Sequence, residues 1–107
     1  MNDTEKVKIT VHIDEDLEDL IPGFLQNRHT DIKAMRDSLE KDDFESIRIM
    51  GHSMKGAGGG YGFDKITDIG SDIETAANNK NKTIINKNID ELEDYIDRVD
   101  LIFIEME

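Results

Sequence analysis

The stretch Ile47-Arg-Ile-Met-Gly-His-Ser-Met-Lys-Gly-Ala-Gly-Gly-Gly-Tyr-Gly-Phe63 decides how the chain is read. On a helix of 3.6-residue period, Ile47, Met50, Met54 and Ala57 share one apolar face, with Phe44 a turn earlier. Arg48, His52, Lys55 and Gly59 share the opposite face. His52 is therefore expected to face solvent, with a cation one turn before it and another one turn after. Glycine inside a helix costs about 1 kcal/mol relative to alanine, so this many glycines call for clearance or close packing. Gly56 lies four residues after His52 and directly above it on the helix surface. Its expected role is to leave the imidazole open to a large partner, and Gly51 and Gly59 are assigned to the same clearance and docking. For Gly58 to Gly60, close packing of the helix end on a neighbour is the competing explanation.

Outward from this stretch the chain reads as helices with short links. Upstream, Asp42 with Glu45 makes a capping-box-like start, so the His52 helix is expected over about 43–58. Before it, Pro22 suits a first helical position, and Phe24, Ile32, Met35 and Leu39, with Leu25 alongside, give a helix over about 22–41. Asp14 can cap a short helix carrying Leu17, Leu20 and Ile21. Downstream, Asp64 can cap a helix whose inner face is Phe63, Ile66, Ile69, Ile73 and Ala76. A polar loop over residues 78–82 follows. Ile85, Ile89, Leu92, Ile96, Val99, Phe103 and Met106 then form a bundle-type seam, which predicts one last helix to the end of the chain. Val7, Ile9, Val11 and Ile13 alternate with period two. No second strand pattern follows, so this segment is read as an extended arm without a ladder partner. An edge pairing with another copy, or disorder, would be alternatives. The expected fold is all-α: an up-down-up-down antiparallel four-helix bundle over 14–107, with a short extra N-terminal helix and an arm over 1–13.

Composition narrows the function. The chain has 107 residues, enough for one core but not for an ATP-binding domain beside it. It has no cysteine, which excludes disulfides and thiolate metal sites. No apolar run reaches ~18 residues and no signal peptide is evident, so a cytoplasmic protein is expected and no membrane partner. The formal charge is −12, unevenly spread. Residues 1–20 carry seven acids against Lys6 and Lys8, and residues 90–107 carry eight against Arg98. Residues 44–62 carry Arg48 and Lys55 against Glu45 alone and are the only net basic segment. Such a charge distribution disfavours nucleic acid. The acidic ends read as solubilising surface.

His52-Ser-Met-Lys55-Gly56, with Gly62 ten residues after the histidine, resembles the signature of histidine-containing phosphotransfer domains, the relay modules of multistep two-component signalling. The resemblance runs in pattern from about Asp14 to Met106 and is sharpest from Ile47 to Ile73. It implies that His52 is phosphorylated on the ring nitrogen far from the backbone. Lys55 then pairs with the phosphoryl oxygens, and Arg48 adds long-range attraction. Neutral imidazole is populated near pH 7, and phosphoryl transfer needs positioning and charge stabilisation more than covalent help. No nucleotide-binding glycine loop exists, and no carboxylate beside His52 is identifiable from the sequence. The resemblance therefore implies a monomeric carrier that is not itself an enzyme and holds no cofactor. A receiver domain supplies the acidic pocket and Mg²⁺, and a hybrid sensor histidine kinase stands upstream. The main rival is a non-catalytic helical adaptor with an ordinary surface His52. A metal site from His12, His29 and His52 lacks both a His-x-x-x-His pair and thiols, so none is expected. A kinase dimerisation domain would need an attached ATPase.

Overall fold

Sequence-local signals mark the start of most helices in the computed structural model, which describes residues 7–105. The Asp14 carboxylate accepts from the Asp16 amide at 2.9 Å and opens a 3-10 helix, Glu15–Leu20. Helix α1, Ile21–Glu40, follows with Pro22 in its first turn, where a missing amide hydrogen costs nothing. Helix α2, Phe44–Gly58, is capped by Asp43, whose carboxylate accepts from the Ser46 amide at 3.1 Å and the Ser46 hydroxyl at 2.6 Å. These bonds, the hydroxyl's first, hold the Asp43 carboxyl below the usual range. The expected capping box from Asp42 does not form. Asp42 takes a positive φ of 56° in the turn, and Glu45 bonds Arg48 instead. A 3-10 turn, Gly59–Tyr61, ends in Gly62 at φ 91°, a conformation that glycine adopts without strain. Helix α3, Asp64–Asn78, comes next, with Asp64 in its first turn rather than at its cap. Helix α4, Lys82–Arg98, is capped by Asn81.

The helices close on one core. The expected inner face of α3 is buried throughout, as are Phe24, Ile32 and Met35 of α1, Ile47 and Met54 of α2, and Ile85, Ile89, Leu92 and Ile96 of α4. In space α2 lies on α3, α3 on α4, and α1 on both α2 and α4, so neighbours in sequence are neighbours in the fold. Arg36 of α1 reaches Asp90 at 3.0 Å and Glu93 at 3.1 Å on α4, which ties the first and last helices across the surface.

Two expectations about the chain ends are corrected. The last helix does not continue through Val99 and Phe103: it stops at Arg98, and Val99–Ile104 forms strand β2. The N-terminal strand β1, Ile9–Asp14, has a ladder partner after all, since it pairs with β2 in parallel from Ile9 opposite Val99 to Asp14 opposite Ile104. The physical cause is an ambiguity of period. Val99 and Phe103 continue the helical seam, yet Val99, Leu101 and Phe103 also alternate, and the segment is rich in β-branched and aromatic residues. No glycine or proline marks the break. A parallel pair needs a long crossover, and here the whole bundle supplies it. Ile13 is fully buried, with its Cδ1 over Gly62, where an added Cβ would sit 2.8 Å away. Residues 1–6 of the expected arm, and Met106 of the expected seam, lie outside the described residues.

Candidate functional site

The site is built on the seam between α2 and α3, and that seam is made by glycine. Gly51 and Gly70 face each other so closely that a Cβ on Gly51 would lie 3.0 Å from the Gly70 carbonyl oxygen. A Cβ on Gly70 would lie 2.6 Å from the Lys55 amide nitrogen. Further along, a Cβ on Gly58 would lie 2.6 Å from the Thr67 amide nitrogen. The Thr67 hydroxyl locks this end by donating to the Lys55 carbonyl at 3.0 Å and accepting from the Gly59 amide at 2.8 Å. The expected role of Gly51 in partner clearance is therefore corrected: Gly51 is buried, and it is bare so that α3 can approach. Gly58 likewise serves close packing. Gly56 is exposed with nothing within 4 Å of an added Cβ, and Gly59 is exposed with only ordinary contacts at 3.5 Å and beyond.

Close approach of the helices brings a carboxylate to His52 that sequence reasoning did not find. Glu74, one turn beyond Gly70 on α3, places Oε2 2.9 Å from His52 Nδ1 and Oε1 3.8 Å from Lys55 Nζ. Its side chain is 19% exposed, against 69% for His52 and 48% for Lys55. Facing a carboxylate, Nδ1 carries the hydrogen and donates. In the neutral ring that leaves the unprotonated lone pair on Nε2, the nitrogen away from the backbone. The sequence signal for Glu74 was Gly70: an interior glycine marks where α3 touches another backbone, and position 74 lies next on that face.

Arg48 is placed differently from Lys55. Its Nε donates to Glu45 Oε1 at 2.9 Å and its terminal nitrogen to Oε2 at 2.7 Å. These hydrogen bonds hold the Glu45 carboxyl below its usual range and the guanidinium above its own. Glu74 adds a smaller pull on Arg48, which places that cation within the electrostatic reach of the site. Ile49, three residues before His52, is a second feature absent from the sequence reading: a large apolar side chain left 53% exposed on α2. His12 and His29 are exposed. Among the described residues, no group of three or more His, Cys, Asp or Glu side chains could hold a metal ion.

The Hpt domain family model matches residues 19–101, and the chain belongs to that family. No curated protein and no solved structure matches the chain. Hpt domains are phosphotransfer modules of two-component signalling, carriers rather than catalysts, and they work with receiver domains and histidine kinases.

Proposed function

We propose that this protein is a phosphocarrier that accepts a phosphoryl group on His52 Nε2 from the aspartyl phosphate of one receiver domain and passes it to the aspartate of another. The observation that carries this reading is the exposed His52 ring, held through Nδ1 by Glu74 and flanked by Lys55 and the open Gly56. In the forward step the Nε2 lone pair attacks phosphorus, the N–P bond forms, the aspartyl O–P bond breaks, and the aspartate leaves as a carboxylate. Glu74 keeps the Nδ1 proton and fixes the ring angle for in-line attack. Lys55 pairs with the phosphoryl oxygens. Arg48, committed to Glu45, adds long-range attraction only. Glu74 of α3 is a single carboxylate beside His52, too little for a magnesium site, so Mg²⁺ and the acidic pocket belong to the receiver. Gly56 and Gly59 leave room for that domain to dock, and Ile49 gives it an apolar contact.

The same reading includes the rest of the assembly. The four helices run up-down-up-down; for α2 and α3, the close contacts 51 with 74, 55 with 70 and 58 with 67 descend along α3 as they ascend α2, which supports antiparallel packing of that pair. The carrier acts as a cytoplasmic monomer served by a hybrid sensor histidine kinase. In support, no helix among the described residues is long and apolar enough to cross a membrane.

The test is phosphotransfer from a panel of phosphorylated receiver domains. The unmodified protein should acquire acid-labile phosphate, and His52→Gln should acquire none while keeping its helicity, because an exposed side chain contributes little to stability. Undiminished labelling of that variant would move the acceptor elsewhere. Failure of every receiver to label the unmodified protein would favour the adaptor alternative.

A further inference from the structure

A cleft of about 440 Å³ lies between the Glu15–Leu20 3-10 helix, the first turns of α1, and β2. Ile21, Pro22, Leu25, Leu101 and Phe103 line its apolar part, and Glu18 and Asp19 its rim. Pro22 is exposed, and Leu25, Leu101 and Phe103 are only half-buried, so apolar surface faces water here. No residue of β1 lines the cleft. It opens on the face of the sheet that carries Leu101 and Phe103, and among the described residues the edge of β2 away from β1 has no ladder partner. An open strand edge is a template for another strand.

We propose that this cleft binds an extended basic segment of a partner protein, which lays a strand along β2, inserts a large apolar side chain over Leu25 and Phe103, and sets a lysine or arginine against Glu18 and Asp19. Charge selects this occupant. Residues 14–19 hold five acids and no base, and exposed Asp100 and Glu105 flank the lining residues of β2. Of the cations nearest in the chain, Arg28, three residues after Leu25, is held over the Phe24 ring and by Asp31 at 2.9 Å, and Lys8 and Arg98 lie toward the opposite end of the sheet, where Ile9 meets Val99. Arg98 is engaged there by the Val7 carbonyl at 2.8 Å and Asp94 at 2.9 Å. A second copy of this chain would set the acidic rim against itself, and an anionic lipid surface or nucleic acid would be repelled in the same way. A strand-adding mode supplies main-chain hydrogen bonds for affinity and one pocket for specificity. The cleft shares no residue with the His52 site, so a partner held here leaves the exposed face of α2 free. The inference stands whether or not His52 carries phosphate.

The probe is the blocked peptide Lys-Leu-Lys-Val-Lys-Ile-Lys, titrated into the full ¹⁵N-labelled chain, with Lys-Ser-Lys-Ser-Lys-Ser-Lys as the control of equal charge. Amide shifts should concentrate at residues 18–25 and 100–105. The serine peptide should bind about tenfold more weakly, the loss expected when an apolar side chain no longer fills a pocket. Glu18→Lys with Asp19→Lys should weaken binding about fivefold more than Asp37→Lys with Asp68→Lys, exposed changes of equal charge elsewhere. Any of four results would overturn the proposal: no binding at millimolar peptide, shifts scattered over the acidic surface, equal affinity for the two peptides, or equal losses in the two double variants. Cleft amides that move on dilution of the protein alone, together with a dimer in sedimentation, would assign the cleft to a second copy instead.

Discussion

Replacing Gly70 by alanine tests the link between packing and chemistry. The new Cβ would sit 2.6 Å from the Lys55 amide nitrogen, 2.8 Å from the Gly51 carbonyl oxygen and 3.1 Å from the Lys55 Cα, whereas ordinary contact begins at 3.4 Å. All three obstacles are backbone atoms, so no side chain can swing aside: α2 and α3 must move apart. Overpacking of this kind costs typically 1–3 kcal/mol, and a helix gains about 1 kcal/mol when alanine replaces glycine. The net destabilisation should reach about 2 kcal/mol, a fall in melting temperature on the order of 10 °C for a domain of this size. Because Glu74 reaches His52 across the same seam, the Nδ1 hydrogen bond should lengthen, and ¹⁵N spectra should report a more even mixture of His52 tautomers. Gly56→Ala is the control: with nothing within 4 Å of its Cβ, it should be stabilised by about 1 kcal/mol and keep the tautomer unchanged. If Gly70→Ala melts as high as Gly56→Ala, the close approach is not what holds α2 to α3, and the account of the seam is wrong.

Glu74→Gln keeps the shape of the side chain but exchanges a charge-assisted hydrogen bond for a neutral one; a difference of about 1.4 kcal/mol implies about tenfold slower loading of His52, with the melting temperature little changed. Loading at the unmodified rate would leave Glu74 a packing residue. Lys55→Ala removes the proposed ionic partner of the phosphoryl group, an interaction typically worth ~1.5–3 kcal/mol, so it should slow transfer or shorten the phosphohistidine lifetime more than it weakens receiver binding. Gly56→Leu should do the reverse, lowering receiver affinity in calorimetry and transfer along with it, without loss of fold. Transfer at the unmodified rate in Gly56→Leu would refute the role of this glycine as clearance.

The sequence was legible wherever one period dominated. Phe63, Ile66, Ile69, Ile73 and Ala76 follow a helical spacing that no strand could satisfy, and all five are buried. The exposed face of α2 was legible for the same reason, since Ile47 and Met54 must point away from His52. Val99–Ile104 was not legible, because its spacing satisfies both periods and the choice rests on whether β1 is present as a partner, a contact across 90 residues of register. Glu74 was hidden for a related reason. Its contact with His52 depends on the distance between two helix axes, and helical periodicity reports only directions. Only the glycines encode that distance, and Gly51 was read as clearance for a partner when it was clearance for Gly70.

The placement of Glu74 poses an electrostatic question that the proposed cycle answers. On the proposed reading, a carboxylate lies close to the site where a dianionic phosphoryl group must form, and like charges at a surface site of effective dielectric near ~20 repel by a few kcal/mol at most. That repulsion is felt only once the phosphoryl group is in place, and in the same state the ring, which keeps its Nδ1 hydrogen and has become cationic, bonds Glu74 more strongly and offsets part of it. Lys55 limits the cost. At 3.8 Å its contact with Glu74 is long, and its side chain is half-exposed, so it can turn from Glu74 to the phosphoryl oxygens without losing a strong pair. His52 keeps its own bond to Glu74 throughout, because Nδ1 takes no part in the transfer. The carboxylate thus orients the ring in both states and opposes only the charge that is meant to leave.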